Sequence, residues 1–248
     1  MKTTHQSHCC RSGFTLVEIL VTLTIVAVLA GVVFSISAKA KQSALSASTL
    51  NNLREIGGCA GLWMSENNNF FPPAWDNTNG ANRSYAQSFD PYMHGVPIYR
   101  SDRSKFIGPD KRIAVKVNMN SHPLTYAMNR AVCRDTTSNG KPGESLVHVS
   151  KVSQSTQVIL LADGCQNPGN LGQSNASAYR LYAATGQSGP PGKGTQTIPI
   201  GPDVDTAAGD GWFRYPWGKC HALMCDGSAM VFAKGTIKNK NIWIDSEL

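Results

Sequence analysis

Charge is scarce in this chain. Only 16% of its 248 residues are Asp, Glu, Lys or Arg, against roughly a quarter in an ordinary soluble domain. Enzyme signatures are missing as well. There is no Gly-x-Ser-x-Gly elbow, no Walker phosphate loop and no His-Glu-x-x-His helix. Gly192-Lys193-Gly194-Thr195 lacks the glycine spacing and the following helix of a phosphate loop and reads as a turn. The basic residues never form a run of four, so the +7 formal charge reads as a solvated surface with a basic bias rather than a nucleic-acid footprint. The paired cysteine spacings of structural zinc sites are lacking too. Cys220, His221, Cys225 and Asp226 crowd into seven residues, but no second pair lies nearby, and a β-hairpin explains them better.

One long apolar run is present. Phe14 to Ile36, FTLVEILVTLTIVAVLAGVVFSI, is 23 residues, and about 20 suffice to cross a bilayer. A short basic leader with Lys2 and Arg11 and no acid precedes it. Lys39 and Lys41 follow it, so flanking charge does not decide orientation. Glu18 sits inside the run. A carboxylate at membrane depth costs roughly 2.5–3.5 kcal/mol on insertion scales, and such residues are usually paired and functional. The apolar core of an ordinary secretory signal is 7–15 residues and ends in small residues at the cut, which fits this run poorly.

Gly13-Phe14-Thr15-Leu16-Val17-Glu18 followed at once by an uninterrupted apolar helix resembles the type IV prepilin signal. The resemblance implies cleavage by prepilin peptidase after Gly13, N-methylation of the new terminus at Phe14, and a role for Glu18 in setting subunit register in a helical filament. It also implies a cytoplasmic leader, a single-pass anchor in the bacterial inner membrane and a head in the periplasm. A physical account of Glu18 follows. The α-amine freed at Phe14 is positive near neutral pH and can neutralise the Glu18 of a neighbouring subunit, and a buried pair is tolerated where a lone charge is not.

Beyond the apolar run, residues 37–66 contain no proline, and Leu45, Thr49, Leu53, Ile56, Ala60 and Trp63 recur at steps of four and three, one face of a helix. That helix is expected to end near Asn67, before Pro72-Pro73. Residues 68–125 read as loop-rich, with a short helix near 84–94. Strands are expected at Thr125–Asn129, around Val158–Leu161, at His221–Cys225 and Ala229–Ala233 flanking the turn Asp226-Gly227-Ser228, and at Asn241–Ile244. The stretch 166–211 is long and rich in Gly, Pro, Asn and Ser, including Gly189-Pro190-Pro191-Gly192. The expected fold is therefore α+β: leader 1–13, membrane helix 14–36, a continuation of the helix over 37–67, and a loop-rich head over 68–248 with a C-terminal antiparallel sheet.

The head carries a second resemblance, to the globular part of prepilin-like proteins and most of all to major pseudopilin-like subunits of type II secretion. It rests on Trp63 to Pro73, on Tyr126-Ala127-Met128-Asn129, and on Cys220 to Ala229 with its Asp226-Gly227 turn. Ser228 and Pro216 stand where that pattern has histidines, so any role of those histidines does not transfer. The implied function is a structural, non-enzymatic subunit of a secretion pseudopilus or type IV pilus-like filament. Its implied partners are prepilin peptidase, other pilin or pseudopilin subunits, an inner-membrane assembly platform and lipid. The alternative is a minor pilin that binds nucleic acid or a surface. Subunits of this kind bind calcium in a C-terminal loop, which marks Asp203, Asp205 and Asp210 in GPDVDTAAGDG as candidate ligands. The competing reading is a solvated acidic loop. Cys9 and Cys10 leave with the leader. Of the five remaining cysteines, Cys220 and Cys225 are the nearest neighbours and the candidate disulfide, although positions five apart on a straight strand face opposite ways.

Overall fold

The computed structural model describes residues 13–76, 83–93, 125–136, 146–165, 180–181, 194–204 and 211–244. The leader's Lys2, Cys9, Cys10 and Arg11, together with Asp205, Asp210 and Gly189-Pro190-Pro191-Gly192, lie outside the described residues. One helix, α1, runs from Leu16–Glu66. The chain divides into two compact units, Met1–Ala44 and Leu45–Leu248. In the first, the described side chains of α1 are almost all exposed, apolar ones included.

In the second unit α1 behaves as the periodicity requires. Thr49, Leu53, Ile56 and Ala60 are buried, and Trp63 packs partly buried against the same cluster. Burying Leu53 and Ile56 contributes roughly 1.5–3 kcal/mol each. The helix stops where asparagines take over. Asn68 and Asn69 have φ of 53° and 59°, and the Asn69 N–H donates to the Met64 carbonyl at 2.9 Å. The left-handed backbone after the last turn closes the helix.

The sheet that receives this helix face has five strands. They are β3 (Tyr126–Asn129), β4 (Ile159–Asp163), β5 (Arg180–Leu181), β6 (Lys219–Met224) and β7 (Ala229–Ala233), in the order β5-β3-β4-β6-β7. A separate two-stranded ribbon pairs β1 (Trp75–Asp76) with β2 (Arg83–Ser84). Along β3, β4, β6 and β7 each neighbouring pair is antiparallel, with a bulge in β4 between Ile159 and Leu161. The edge strand β5 runs parallel to β3. The β6–β7 turn places Gly227 at φ 86°, a left-handed position that glycine takes without a Cβ penalty. Ser228 N–H and Oγ both donate to the Asp226 carboxylate, at 2.9 and 2.7 Å.

Alternation along the strands separates two apolar clusters. Tyr126, Met128, Leu161 and Leu223 share one with Leu53 and Ile56 of α1. Ala127, Ile159, Ala162, Ala222 and Met224 share the other with Ile198, Phe213, Ile237 and Ile242 from the loops. Both faces of the central strands β4 and β6 are therefore covered. Asn129 joins the layers from β3: its side-chain amide donates to the Ile159 and Ile242 carbonyls, each at 2.8 Å.

One expectation is refined and two need correction. The short helix is α2 (Tyr85–Phe89), and it tightens into a 3-10 turn over Asp90–Tyr92, because Pro91 has no N–H to continue an α-helical ladder. Asn241–Ile244 is not a strand. Asn239–Asn241 forms a 3-10 turn in which the Asn241 side-chain oxygen accepts from the Lys238 N–H at 2.9 Å, and Ile242 then drops into the second cluster. Cys220 and Cys225 do not pair. They are separate buried thiols, Cys220 on β6 in the second cluster and Cys225, just past the strand's end, in the first, as positions an odd number apart on extended backbone face opposite sides.

Candidate processing and assembly site

The first turn of α1 is built by Thr15 and Glu18. The Thr15 N–H and Oγ1 both donate to Glu18 Oε2 at 2.8 Å, and the Glu18 N–H donates back to Thr15 Oγ1 at 3.3 Å. This is a reciprocal capping box: a hydroxyl residue before the first helical position and a glutamate three residues later satisfy each other's exposed backbone donors. The carboxylate also lies at the positive end of the helix dipole. Deeper in the apolar run two threonine hydroxyls are satisfied in the same local manner. Thr22 Oγ1 donates to the Ile19 carbonyl at 2.9 Å and Thr24 Oγ1 to the Val21 carbonyl at 2.8 Å. Thr15, Glu18, Thr22 and Thr24 are thus bonded within the helix, as a solvent without hydrogen-bond donors or acceptors demands.

Gly13 precedes this cap. A Cβ built there would meet nothing within 4 Å, so no packing among the described residues requires glycine at that position. Phe14 is 83% exposed. The sequence motif includes Thr15 but assigns roles to Gly13, Phe14 and Glu18 alone, although Thr15-Leu16-Val17-Glu18 has the capping-box spacing on its face.

Of the acidic-loop candidates, Asp203 alone falls among the described residues. Its φ is 54°. Oδ1 accepts from Arg214 Nη1 at 2.6 Å and from the Tyr215 N–H at 2.9 Å, and Oδ2 accepts from Lys234 Nζ at 2.5 Å. Burial pushes this carboxyl up, but the bonds from Lys234, Tyr215 and Arg214 outweigh it and hold the group below the usual aspartate range. A calcium ion taking Asp203 as a ligand would have to displace two side-chain cations. Cys220, His221, Cys225 and Asp226 are also dispersed: Cys220 packs in the second cluster, the His221 ring bonds Asp163, Cys225 lies just past β6 in the first cluster, and the Asp226 carboxylate caps the turn.

The model of the prokaryotic N-terminal methylation motif matches residues 9–34. The match spans the glycine, the capping box and most of the apolar run, so the chain carries a prepilin-type N-terminal methylation signal. Such a signal implies assembly with other pilin subunits, and one apolar N-terminal helix long enough to cross a membrane fits anchoring there. No curated protein and no solved structure matches the chain.

Proposed function

We propose that this protein is a membrane-anchored structural subunit of a type II secretion pseudopilus or a type IV pilus-like filament, held in the bacterial inner membrane with its head in the periplasm until assembly. The observation that carries the reading is the junction itself. A glycine with no packing role among the described residues stands directly before a capped helix whose apolar first half leaves its described side chains exposed. Cleavage after Gly13 frees the Phe14 amine, which is then methylated. Glu18 exchanges its Thr15 donors for the amine of a neighbouring subunit. The pair forms only in one register, because a shift leaves a charge unpaired in an apolar interior. This work is assembly and requires no catalysis by the head.

Mass spectrometry of the protein from cells with an active prepilin peptidase tests the first step. The expected N-terminus is methylated Phe14. A chain that keeps residues 1–13 overturns the proposal. Co-purification with a secretin-type secretion machine or with extended surface fibres then separates the pseudopilus from the pilus.

A further inference from the structure

Ser46, His221 and Asp163 form a hydrogen-bonded line that the filament role does not use. Pairing of Ala162 with Ala222 sets Asp163 beside His221 on adjacent strands. Asp163 Oδ2 accepts from the His221 N–H at 2.8 Å and lies 2.7 Å from His221 Nδ1. The other ring nitrogen, Nε2, is 2.7 Å from Ser46 Oγ on α1. A carboxylate only accepts, so Nδ1 carries the ring proton, and Nε2 is left as the acceptor for the serine hydroxyl; that tautomer is assigned from the network. Asp163 and His221 are buried, with side chains 3% and 1% exposed, while Ser46 is half-buried and is followed by the small, exposed Ala47 and Ser48. The carboxylate therefore stands at the closed end and the hydroxyl at the open end. A link that served packing alone would not need a buried carboxylate, whose desolvation an apolar contact avoids. A serine hydroxyl, a base on it and a carboxylate orienting the base are recognised by geometry on unrelated folds and in any chain order.

We propose that Ser46 is an activated nucleophile and a covalent acylation site, taking an acyl group from an ester donor. Ser46 Oγ attacks the ester carbonyl carbon as its proton passes to His221 Nε2. The bond from that carbon to the alcohol oxygen breaks, and His221 returns the proton to the departing oxygen. The products are one alcohol and one acyl-Ser46. Asp163 is a positioning residue that holds the ring in the required tautomer. The reaction modifies the chain once and is independent of processing at Gly13.

The test uses the purified full-length chain in detergent with two probes, p-nitrophenyl acetate and a fluorophosphonate, followed by peptide mass spectrometry. Ser46 is expected to be labelled at least about 100-fold faster than Ser48, an exposed serine on the same helix with no such base among the described residues. Ser46→Ala should remove the label and leave the circular dichroism unchanged. His221→Gln should slow labelling at Ser46 to the Ser48 rate. The Ser46 to Ser48 ratio in the unmutated chain decides the matter even if His221→Gln fails to fold. Equal rates at the two serines, or no adduct on Ser46, overturn the proposal.

Discussion

Leu16 and Leu161 are the same residue in opposite circumstances: the first is 81% exposed at the start of α1, and the second is fully buried in β4. The contrast extends to the regions around them. The apolar run of α1 keeps Val17, Ile25, Val28 and Phe34 outside any core, whereas the sheet of the second unit covers both faces of β4 and β6. In the head, the apolar residues of β3, β4 and β6 are answered by other parts of the same chain. In the N-terminal region Thr15, Glu18, Thr22 and Thr24 are answered locally by a cap and back-bonded hydroxyls, and the apolar side chains stay exposed among the described residues. A region that satisfies its polar groups internally and leaves its apolar groups exposed is built for an apolar solvent or for copies of itself. Changes in the N-terminal region should accordingly alter processing and assembly without touching the fold, and changes in the head should do the reverse.

The largest effect is expected at Gly13. Gly13→Leu has open space in the chain, so folding and membrane insertion should be unaffected, while a side chain crowds the peptidase's approach to the backbone. Processing should fall to a trace, read as retention of residues 1–13 by mass spectrometry. Normal cleavage of the leucine variant would remove the junction from the argument.

Glu18 and Thr15 come next, and they separate capping from assembly. Breaking a buried pair by removing one partner costs about 3–5 kcal/mol, so Glu18→Ala should reduce incorporation into filaments by more than about 100-fold, scored by cross-linking. Thr15→Val removes only the cap, worth about 1 kcal/mol, and should reduce incorporation several-fold at most. If the two variants behave alike, Glu18 acts as a cap and not as an intersubunit partner.

Gly57 sharpens the other side of the comparison. A Cβ there would lie 2.9 Å from Leu223 Cδ1 and 3.4 Å from the Gly227 carbonyl oxygen, so α1 approaches the β6–β7 hairpin closely at this turn. In open space, replacing a helical glycine gains up to about 1 kcal/mol. Here the added volume meets a buried leucine and backbone, and overpacking costs typically 1–3 kcal/mol. Gly57→Leu should therefore destabilise the head by about 2 kcal/mol in urea unfolding, followed by tryptophan fluorescence. All five tryptophans, Trp63, Trp75, Trp212, Trp217 and Trp243, lie in the second unit. Cleavage at Gly13 should be unchanged.

What was legible in the sequence follows the range of the interactions. The buried face of α1, its end near Asn67, β3, β4 and the β6–β7 hairpin are written in neighbouring residues: a 3.6-residue period, paired asparagines, and Asp226-Gly227 between apolar runs. The parallel strand β5 was not legible, because two residues in a Gly- and Pro-rich stretch take their pairing from β3 and carry no pattern of their own. The terminal strand misled because Ile242 and Trp243 look like strand residues, while the decisive bonds, from Lys238 to Asn241 and from Asn129 to Ile242, depend on asparagine side chains. The line from Ser46 through His221 to Asp163 joins residues 175 and 58 positions apart, and no local spacing announces it. Thr15 and Glu18 were adjacent enough to be seen as a cap, but the membrane-depth charge drew attention to Glu18 alone.

Asp203 carries the smallest expected effect and the one that tests the acidic loop. Its carboxylate joins Arg214, Lys234 and the Tyr215 N–H, and hydrogen bonds to charged groups contribute about 1.5–3 kcal/mol when well buried. Lys234 is substantially exposed, so solvent screening lowers that figure, and Asp203→Asn should cost about 1 kcal/mol at neutral pH. The sign of the pH dependence follows from the direction of the shift. The folded carboxyl lies below the ordinary aspartate value of about 3.9, so the unfolded chain binds the proton first as pH falls. The stabilisation is complete above the unfolded value and disappears as pH drops through the folded one. The difference between the unmutated chain and Asp203→Asn should hold at pH 6–8 and vanish at strongly acidic pH, measured by urea unfolding in buffers of matched ionic strength. Calcium divides the two readings of the loop. If Arg214 and Lys234 are the working partners, the unfolding midpoint with calcium equals that with a chelator. If the ion displaces them, calcium raises the midpoint in the unmutated chain and the rise is lost in Asp203→Asn, because a ligand bound only to the folded state stabilises it in proportion to its occupancy.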